Sequence, residues 1–286
     1  MRRCVLGRTG LEISPVVYGA IIHMSEAQEE ANRLVAYAIE RGVNYFDVAP
    51  SYGDAQQLQG PALEPFRKDV YLACKTGERT REGSRRELLE SLKALRTDHF
   101  DVYQLHAVTT QEDVDTIFGP DGAMETFLWA KKEGLILNIG MSTHNEDNGL
   151  QAMDLYDFDT ILYPMNWALG LNIGWGDRMS ERVKKTGAGL LAMKTLVSRM
   201  WLPDEEKVYP KFWCRPVFDN DRLALAGMKY GLAKGGATLV PPGNIDHFNF
   251  MLDHIDECLD NPLTDDDLAY LRQEAEKVKD NMIFKV

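Results

Sequence analysis

The sequence lacks the residue patterns of several protein classes. Its four cysteines are too far apart to form a Cys-X-X-Cys pair, so we expect no zinc or iron–sulfur site and no bound metal. No apolar run approaches the roughly 20 residues that cross a bilayer, and the basic start is not followed by the apolar segment of a secretory signal. We therefore expect a cytoplasmic protein with reduced thiols at Cys4, Cys74, Cys214 and Cys258.

The chain also has no excess of positively charged residues. The formal net charge is −12, and the 44 acidic and 32 basic residues are interspersed along the chain. Such a surface does not favour nucleic acid or an anionic membrane as a partner. We expect a small-molecule ligand, and the pattern leaves the oligomeric state open.

Short apolar segments alternate with longer amphipathic segments from one end of the chain to the other. Eight strands that each precede a helix predict a closed (β/α)8 TIM barrel as a single domain over residues 1–286. A hairpin at 4–11 is expected at the bottom of the barrel, and a C-terminal helix is expected from Thr264. The predicted strands are 16–21, 43–47, 70–75, 100–106, 137–142, 160–163, 189–194 and 238–240, and the clearest helices are 27–41, 84–95, 123–132 and 222–233.

Two connections, 167–177 and 195–219, are too long for plain strand-to-helix turns. Loops of this length on a barrel commonly serve as lids or binding loops. Four of the five tryptophans fall in them, which indicates a substrate pocket, although packing is the alternative. The candidate pocket residues are His23, Trp167, Trp175, Trp201 and Trp213.

Four ionisable residues lie at or just after the ends of consecutive predicted strands: Asp47, Tyr52, Lys75 and His106. In a barrel these strand ends meet at the face where active sites are built. A free tyrosine has a pKa of about 10, and we expect the Lys75 ammonium to lower it. Asp47 can hold Lys75 charged, and His106 can orient a carbonyl oxygen, as a neutral ring or as imidazolium. This set predicts proton delivery by Tyr52 during hydride addition to a carbonyl.

Three segments resemble the motif blocks of the aldo-keto reductases: 44–53 (NYFDVAPSYG), 73–76 (ACKT) and 101–106 (DVYQLH). The opening LGRTGL at 6–11 and GMS at 140–142 are also similar to that family, and the likeness extends to about Gly243. The resemblance implies a (β/α)8 barrel and NADPH or NADH as hydride donor. It also implies that Asp47, Tyr52, Lys75 and His106 form the catalytic tetrad.

Several positions depart from the family pattern at the expected nicotinamide contacts. Thr143 replaces an asparagine that usually assists Ser142, Leu162 replaces a glutamine, and Met193 replaces a tyrosine that stacks on the ring. A threonine hydroxyl cannot replace both functions of an amide, whereas methionine can lie against an aromatic face. The complete set of predicted cofactor contacts is Gly19, Asp47, Ser142, Thr143, Leu162, Met193, Lys194, Arg199, Gly243 and Asp246.

The choice of nucleotide is not fixed by these residues. Resemblance implies NADP, but residues 241–248 contain no Lys or Arg to hold a 2′-phosphate. Asp246 can instead hydrogen-bond a ribose hydroxyl, as acidic residues do in NAD sites. Lys194 and Arg199 could supply charge to the pyrophosphate or to a 2′-phosphate, and a solvated pair is the alternative.

Three functions remain open at this point. The first is an NAD(P)H-dependent oxidoreductase that reduces an aldehyde, ketone or sugar, or runs in reverse. The second is a cofactor-binding regulatory subunit with little turnover, and the third is a redox-cycling lyase or epimerase that retains its cofactor. The sequence does not identify the substrate.

Overall fold

The structure, a computed structural model, describes residues 1–284. Its strands are β1 (Cys4–Val5), β2 (Glu12–Ile13), β3 (Tyr18–Gly19), β4 (Tyr45–Asp47), β5 (Tyr71–Thr76), β6 (Phe100–Leu105), β7 (Ile136–Ser142), β8 (Thr160–Pro164), β9 (Gly189–Met193), β10 (Val197–Met200), β11 (Cys214–Pro216) and β12 (Thr238–Val240). Its α-helices are α1 (Gln28–Glu40), α2 (Ala55–Leu63), α3 (Arg81–Ala94), α4 (Gln111–Phe118), α5 (Ala123–Lys132), α6 (Glu146–Leu155), α7 (Trp167–Ile173), α8 (Asp177–Thr186), α9 (Asp221–Ala233), α10 (Ile245–Asp260) and α11 (Asp265–Val278).

Eight parallel strands form the central sheet in the order β3-β4-β5-β6-β7-β8-β9-β12. The sheet closes between its first and last strands, where Val17 N donates to Leu239 O over 3.0 Å and Leu239 N donates to Pro15 O over 2.9 Å. The helices surround this barrel, so the predicted (β/α)8 fold is confirmed. The predicted domain extends over residues 1–286, and its last two positions lie outside the described residues.

The predicted strands all occur, and the boundary differences have local causes. The first strand ends at Gly19 rather than at residue 21, because a 3-10 turn, Ala20–His23, follows it. Helix α3 begins three residues earlier than predicted, since the Thr80 side chain accepts from Gly83 N and caps its first turn. Thr264 and Asp267 form a reciprocal capping box that starts α11, which confirms the C-terminal helix.

The hairpin of β1 and β2 closes the bottom of the barrel, as predicted. Leu6 is fully buried and packs inside the barrel with inward-facing strand residues. Gly7, at a φ of +50°, approaches the chain before β9 so closely that an added Cβ would lie 2.3 Å from Gly189 N. The inward cluster comprises Leu6, Ile13, Val17, Tyr45, Ala73, Val102, Leu162 and Leu191.

A larger apolar layer lies between the barrel and the helices. It includes Phe46, Leu72 and Tyr103, which alternate along their strands with the inward-facing residues. Both faces of each strand are therefore buried, which explains why the strand segments read as nearly continuous apolar runs. Among the described residues, no helix combines the length and the apolar character needed to cross a bilayer.

The two long connections have regular structure that the sequence did not predict. Residues 167–173 form helix α7, which begins there because the Asn166 side chain accepts from Leu169 N. Within 195–219, β10 and β11 pair as an antiparallel ribbon. We refer to residues 197–216 as the ribbon. The first connection is thus mainly a packed helix rather than a binding loop.

Candidate active site

An ion pair between two neighbouring strand ends forms the floor of the site. Lys75 on β5 is fully buried, and its Nζ donates to Asp47 Oδ1 on β4 and to Val48 O, the latter over 3.3 Å. Gln104 Nε2 lies 3.4 Å from the other carboxylate oxygen of Asp47. Burial is the largest single effect and lowers the pKa of Lys75, but Asp47, with Tyr52 and Cys74, more than offsets it, so the pKa is raised. Lys75 is therefore held as an ammonium.

Tyr52 lies above this pair, in the turn between β4 and α2. The Lys75 Nζ is 5.1 Å from the centre of its ring, and the His106 ring meets it edge-on at a centroid distance of 5.8 Å. Burial raises the pKa of Tyr52, and the Lys75 ammonium only partly opposes that effect. Lys75 thus acts in the expected direction, but desolvation of the phenolate is the larger effect, so the pKa of Tyr52 is raised.

His106 follows β6 and completes the cluster. Its backbone is fixed because its N–H donates to Thr76 O over 2.9 Å and its carbonyl accepts from Arg79 Nη2 over 2.8 Å. Ser51 Oγ lies 3.5 Å from Nδ1. Burial, and then the Lys75 ammonium, lower the pKa of His106 to about 3. Of the two forms expected, the neutral ring is the one that this environment favours.

These side chains open into one cavity of about 350 Å³, here called the central cavity. Asp47, Tyr52 and His106 line it together with most of the predicted cofactor contacts. Trp213 lines it too, with 47% of its surface exposed. The predicted cofactor residues brought together here are Gly19, Asp47, Ser142, Leu162, Met193, Lys194 and Gly243.

Three predicted cofactor contacts do not line the central cavity. The Thr143 hydroxyl is buried and bonds backbone atoms of the loops around it, with Val108 O at 2.6 Å. Arg199 instead pairs with Glu205 on the ribbon, at 2.6 Å. Asp246 lies in a neighbouring cleft, where Tyr209 Oη donates to it over 3.2 Å. For these residues, local hydrogen bonding or ion pairing fixes the side chain away from the cavity.

Four of the five predicted pocket residues also lie elsewhere. Trp167 is fully buried in the core, and Trp201 is nearly buried with its Nε1 donating to Phe212 O over 2.9 Å. Trp175 stacks on Tyr163 with ring centroids 5.8 Å apart. His23 is fully buried between Tyr18 Oη, at 2.9 Å, and Ala55 O. Burial lowers the pKa of His23 to about 4, so it is a neutral packing residue.

The central cavity also contains residues that the sequence did not single out. His144, directly after β7, lines it, and burial followed by the nearby Lys194 lowers its pKa to about 4. The available signal was its position just past a barrel strand, the same signal that identified His106. The others are Ile21, Met24, Ser51, Lys211, Phe212, Val240 and Pro241, of which two belong to the ribbon.

A second opening of about 290 Å³, the side cleft, shares Lys211, Phe212 and Gly243 with the central cavity. Its charged residues are three carboxylates, from Glu26, Glu30 and Asp246, and the one ammonium of Lys211. That ammonium is paired with Glu26 at 2.7 Å. Glu30 is likewise paired with Arg33 at 2.6 Å, so among the described residues Asp246 is the carboxylate of this cleft without a cation within 4.0 Å. Within residues 1–284, no group of three or more His, Cys, Asp or Glu side chains is arranged to hold a metal ion.

The central cavity has the features that a nicotinamide ring needs. Leu162 and Met193 provide an apolar wall, and Ser142 Oγ accepts from Ala107 N over 2.8 Å, which leaves its own proton free to donate. A Cβ added to Gly19 would meet no atom within 4 Å, so this glycine leaves open space at the wall. These residues would hold the ring beside Tyr52.

The sequence model of the Aldo/keto reductase family matches residues 17–190, more than half of the chain. The chain belongs to this family. By structure it is similar to an aldo-keto reductase from Bacillus halodurans in its holo form, with a TM-score of 0.72 and 23% identity over 97% of this chain and 96% of that one. This likeness supports the shared barrel fold.

Curated relatives of this aldo/keto reductase include oxidoreductases. It is 32% identical over 157 residues to the uncharacterized oxidoreductase YqkF of Bacillus subtilis, covering 50% of this chain and 49% of that protein. It is 30% identical over 162 residues to the 6-dehydroglucose reductase of Novosphingobium aromaticivorans, covering 50% and 51%. The aligned region of the chain thus spans about half the length of each of these relatives.

Proposed function

We propose that this member of the aldo/keto reductase family is an NAD(P)-dependent oxidoreductase that interconverts a carbonyl compound and its alcohol, with Tyr52 as the general acid in reduction. The observation that carries the proposal is the cluster of Tyr52, His106 and the buried Lys75–Asp47 pair, which opens into the central cavity. A buried, charge-paired lysine under a tyrosine has a direct use in proton transfer. One relative that aligns with half of this chain, from Novosphingobium aromaticivorans, is named as a 6-dehydroglucose reductase.

When bound, the nicotinamide supplies a hydride to the carbonyl carbon of the substrate. As that carbon is attacked, the carbonyl oxygen gains negative charge and takes the Tyr52 proton, which gives the alcohol. The Lys75 ammonium stabilises the phenolate that remains, and Asp47 keeps Lys75 protonated. A raised pKa suits this role, because Tyr52 then holds its proton until the oxygen becomes basic.

His106 contributes by orienting the carbonyl. When its Nδ1 accepts from Ser51 Oγ, the Nε2 nitrogen bears the proton and can donate it to the substrate oxygen. A neutral donor adds no net charge beside Lys75.

The decisive experiment is Tyr52→Phe, assayed as loss of reduced nicotinamide absorbance with a panel of aldehydes, ketones and sugars. We expect kcat to fall by about 10²- to 10⁴-fold, the usual contribution of a general acid, with nucleotide binding retained. Tyr156→Phe, outside the cavity, is the matched control and keeps full activity. Nucleotide binding by the wild type without turnover on any compound would contradict the proposal and favour a regulatory subunit. Nucleotide that co-purifies and never exchanges would favour a redox-cycling lyase or epimerase.

We further propose that NADH is the preferred donor. If the adenosine half extends from the central cavity past Gly243 into the side cleft, a 2′-phosphate would meet the Asp246 carboxylate, which has no cationic partner within 4.0 Å among the described residues. The ammonium in the cleft, Lys211, is already paired with Glu26, and Glu30 is paired with Arg33. The Asp246 charge disfavours the dianion, whereas a ribose hydroxyl can donate to this carboxylate.

This preference predicts a higher kcat/KM for NADH than for NADPH in the same assay. Asp246→Arg removes a carboxylate and adds a cation, so we expect the ratio to shift toward NADPH by about tenfold or more. Glu90→Arg, an equal charge change on the exposed face of α3, is the control and leaves the ratio unchanged. A wild type that strongly prefers NADPH would overturn this part of the proposal and leave the carbonyl chemistry untouched.

A further inference from the structure

Lys194 occupies an unusual position at the end of β9. Its backbone has a φ of +66°, a left-handed conformation that is rare for a residue with a side chain. Two hydrogen bonds at its carbonyl fix this geometry, from Asn166 Nδ2 at 3.0 Å and from Val197 N at 3.2 Å. Backbone strain of this kind concentrates at ligand sites. The conformation places the Lys194 side chain in the lining of the central cavity.

The surroundings of the ammonium are aromatic rather than acidic. Lys194 is 8% exposed, and its Nζ lies 4.5 Å from the Phe212 ring centre and 4.4 Å from that of Trp213. Its nearest polar neighbour is Cys214 Sγ, at 3.8 Å. Within residues 1–284, no carboxylate lies within 4.0 Å of it, whereas the cavity's other lysine, Lys211, has Glu26. A buried cation without a counter-ion is costly, and an anion delivered by a ligand would offset that cost.

The Lys194 ammonium shares the central cavity with the proposed carbonyl site. Burial is the main effect that lowers the pKa of His144 and of His106, so both rings are neutral between pH 5 and 8. All three side chains line the central cavity. The carboxylate that contributes to that lining, Asp47, is already paired with Lys75. A ligand that places its carbonyl at His106 can therefore pair an anionic group with Lys194, which lines the same cavity and has no carboxylate within 4.0 Å among residues 1–284.

We propose that Lys194 binds an anionic group, a carboxylate in the first instance, on the carbonyl substrate itself. This inference rests on the proposed carbonyl chemistry and adds a substrate class to it: oxo compounds or aldehydes that have a carboxylate away from the reacting carbon. The Trp213 and Phe212 rings flank the ammonium and cover the apolar part of such a molecule. The pyrophosphate of the nucleotide is the other source of an anion, and the experiment separates the two.

The test compares 4-carboxybenzaldehyde with benzaldehyde, which differ only in the carboxylate, in wild type, Lys194→Met and Lys207→Met. We expect Lys194→Met to lower kcat/KM for the carboxylate by about tenfold to a hundredfold relative to benzaldehyde, because a charge-assisted hydrogen bond is lost. Lys207→Met removes the same charge from an exposed position on the ribbon and leaves the ratio unchanged. Lys194→Arg keeps the charge and should recover part of the preference.

Two further measurements, of NADH binding and of the melting temperature, show what else Lys194→Met changes. The dissociation constant for NADH, followed by nicotinamide fluorescence, should change less than twofold in Lys194→Met. If NADH binding weakens and both aldehydes slow equally, the ammonium serves the pyrophosphate and the inference is overturned. A ratio of kcat/KM for the two aldehydes that is the same in Lys194→Met as in the wild type overturns the inference as well. Methionine replaces a buried lysine that has no carboxylate within 4.0 Å among residues 1–284, so the melting temperature should hold or rise.

Binding of benzoate, compared with benzamide and followed by Trp213 fluorescence in the presence of NAD, does not depend on turnover. If neither aldehyde is reduced by the wild type, the proposed function fails on that panel, and benzoate binding still decides the inference. Tighter binding of benzoate than of benzamide, lost in Lys194→Met, would support it. No binding of benzoate to the wild type would overturn it.

Discussion

At the residue scale, burial has more influence than the nearby Lys75 charge on the protonation of Tyr52 and His106. The pKa of Tyr52 is raised although an ammonium lies under its ring, and the pKa of His106 is lowered to about 3. Both shifts favour the uncharged form, as desolvation requires. The site therefore presents two neutral proton donors, Tyr52 and His106, above the Lys75–Asp47 ion pair. The Lys75 ammonium would stabilise the negative charge that develops on the substrate oxygen.

The pH dependence of turnover follows from these directions. Because the His106 ring is neutral above about pH 3, it gains no proton between pH 5 and 8, and kcat/KM should show no ionisation from it in that range. The measurement is a pH profile of the wild type and of His106→Gln with a neutral aldehyde. An inflection near pH 6.5 that is present in the wild type and absent in the variant would show that His106 titrates as an ordinary histidine.

The sequence predicts a site residue well when the barrel itself fixes its position. Asp47, Lys75 and His106 end parallel strands, so strand order alone brings them together. Thr143 is different, because a rotation of its side chain toward Val108 O decides whether it reaches the cavity. Such a rotation depends on a loop carbonyl from another part of the chain, and the spacing of residues does not encode it.

At the element scale, the ribbon forms the wall of the cavity that includes Phe212 and Trp213. Glu205 holds its two strands together, with Arg199 at 2.6 Å and Arg215 at 2.8 Å. Hydrogen bonding from Arg199 is the main effect that lowers the pKa of Glu205 to about 2, so it is charged throughout the neutral range. One carboxylate thus joins both strands of the wall.

We predict that Glu205→Gln loosens the ribbon. The neutral amide loses the charge in both contacts, so hydrogen exchange over residues 197–216 should accelerate, and KM for a carbonyl substrate should rise more than kcat changes. Glu206→Gln, the exposed neighbour, is the matched control. Equal exchange rates in Glu205→Gln and wild type would show that the ribbon is held by its strand pairing and not by this carboxylate.

The tryptophans show where element-level prediction fails. A cluster of aromatic residues in a long connection predicts a pocket, yet Trp167 begins helix α7 and is buried in the core. The Asn166 cap was visible in the sequence and marks that helix start. What the sequence could not provide is the direction in which each ring points, and only Trp213 lines the central cavity.

At the scale of the whole molecule, the barrel places the stabilising hairpin and the proposed site at opposite faces. The hairpin closes the bottom face, and the proposed site lies at the opposite ends of the strands. The alternation of strands and helices was sufficient to predict this arrangement. The contact of Gly7 with Gly189 was not predictable, because it joins segments about 180 residues apart through backbone atoms alone.

We predict that Gly7→Ala destabilises the fold and leaves kcat unchanged in the protein that remains folded. The new Cβ would lie 2.3 Å from Gly189 N, and the residue also has a positive φ. Gly10→Ala separates the two effects, since Gly10 has a φ of +70° and its added Cβ meets nothing within 4 Å. Urea denaturation should give a loss of about 1 kcal/mol for Gly10→Ala and clearly more for Gly7→Ala. Equal losses would mean that the close approach costs nothing.

The order in which the chain is synthesised affects when the bottom hairpin can be buried. Residues 4–13 leave the ribosome well before two of their partners, Gly189 and Ala237, and the Ala237 carbonyl accepts from Cys4 Sγ over 2.8 Å. The inward cluster around Leu6 and Ile13 is complete only after Leu191 has emerged. During translation this short apolar segment must wait unburied, and closing the barrel between its first and last strands is the step that finally encloses it.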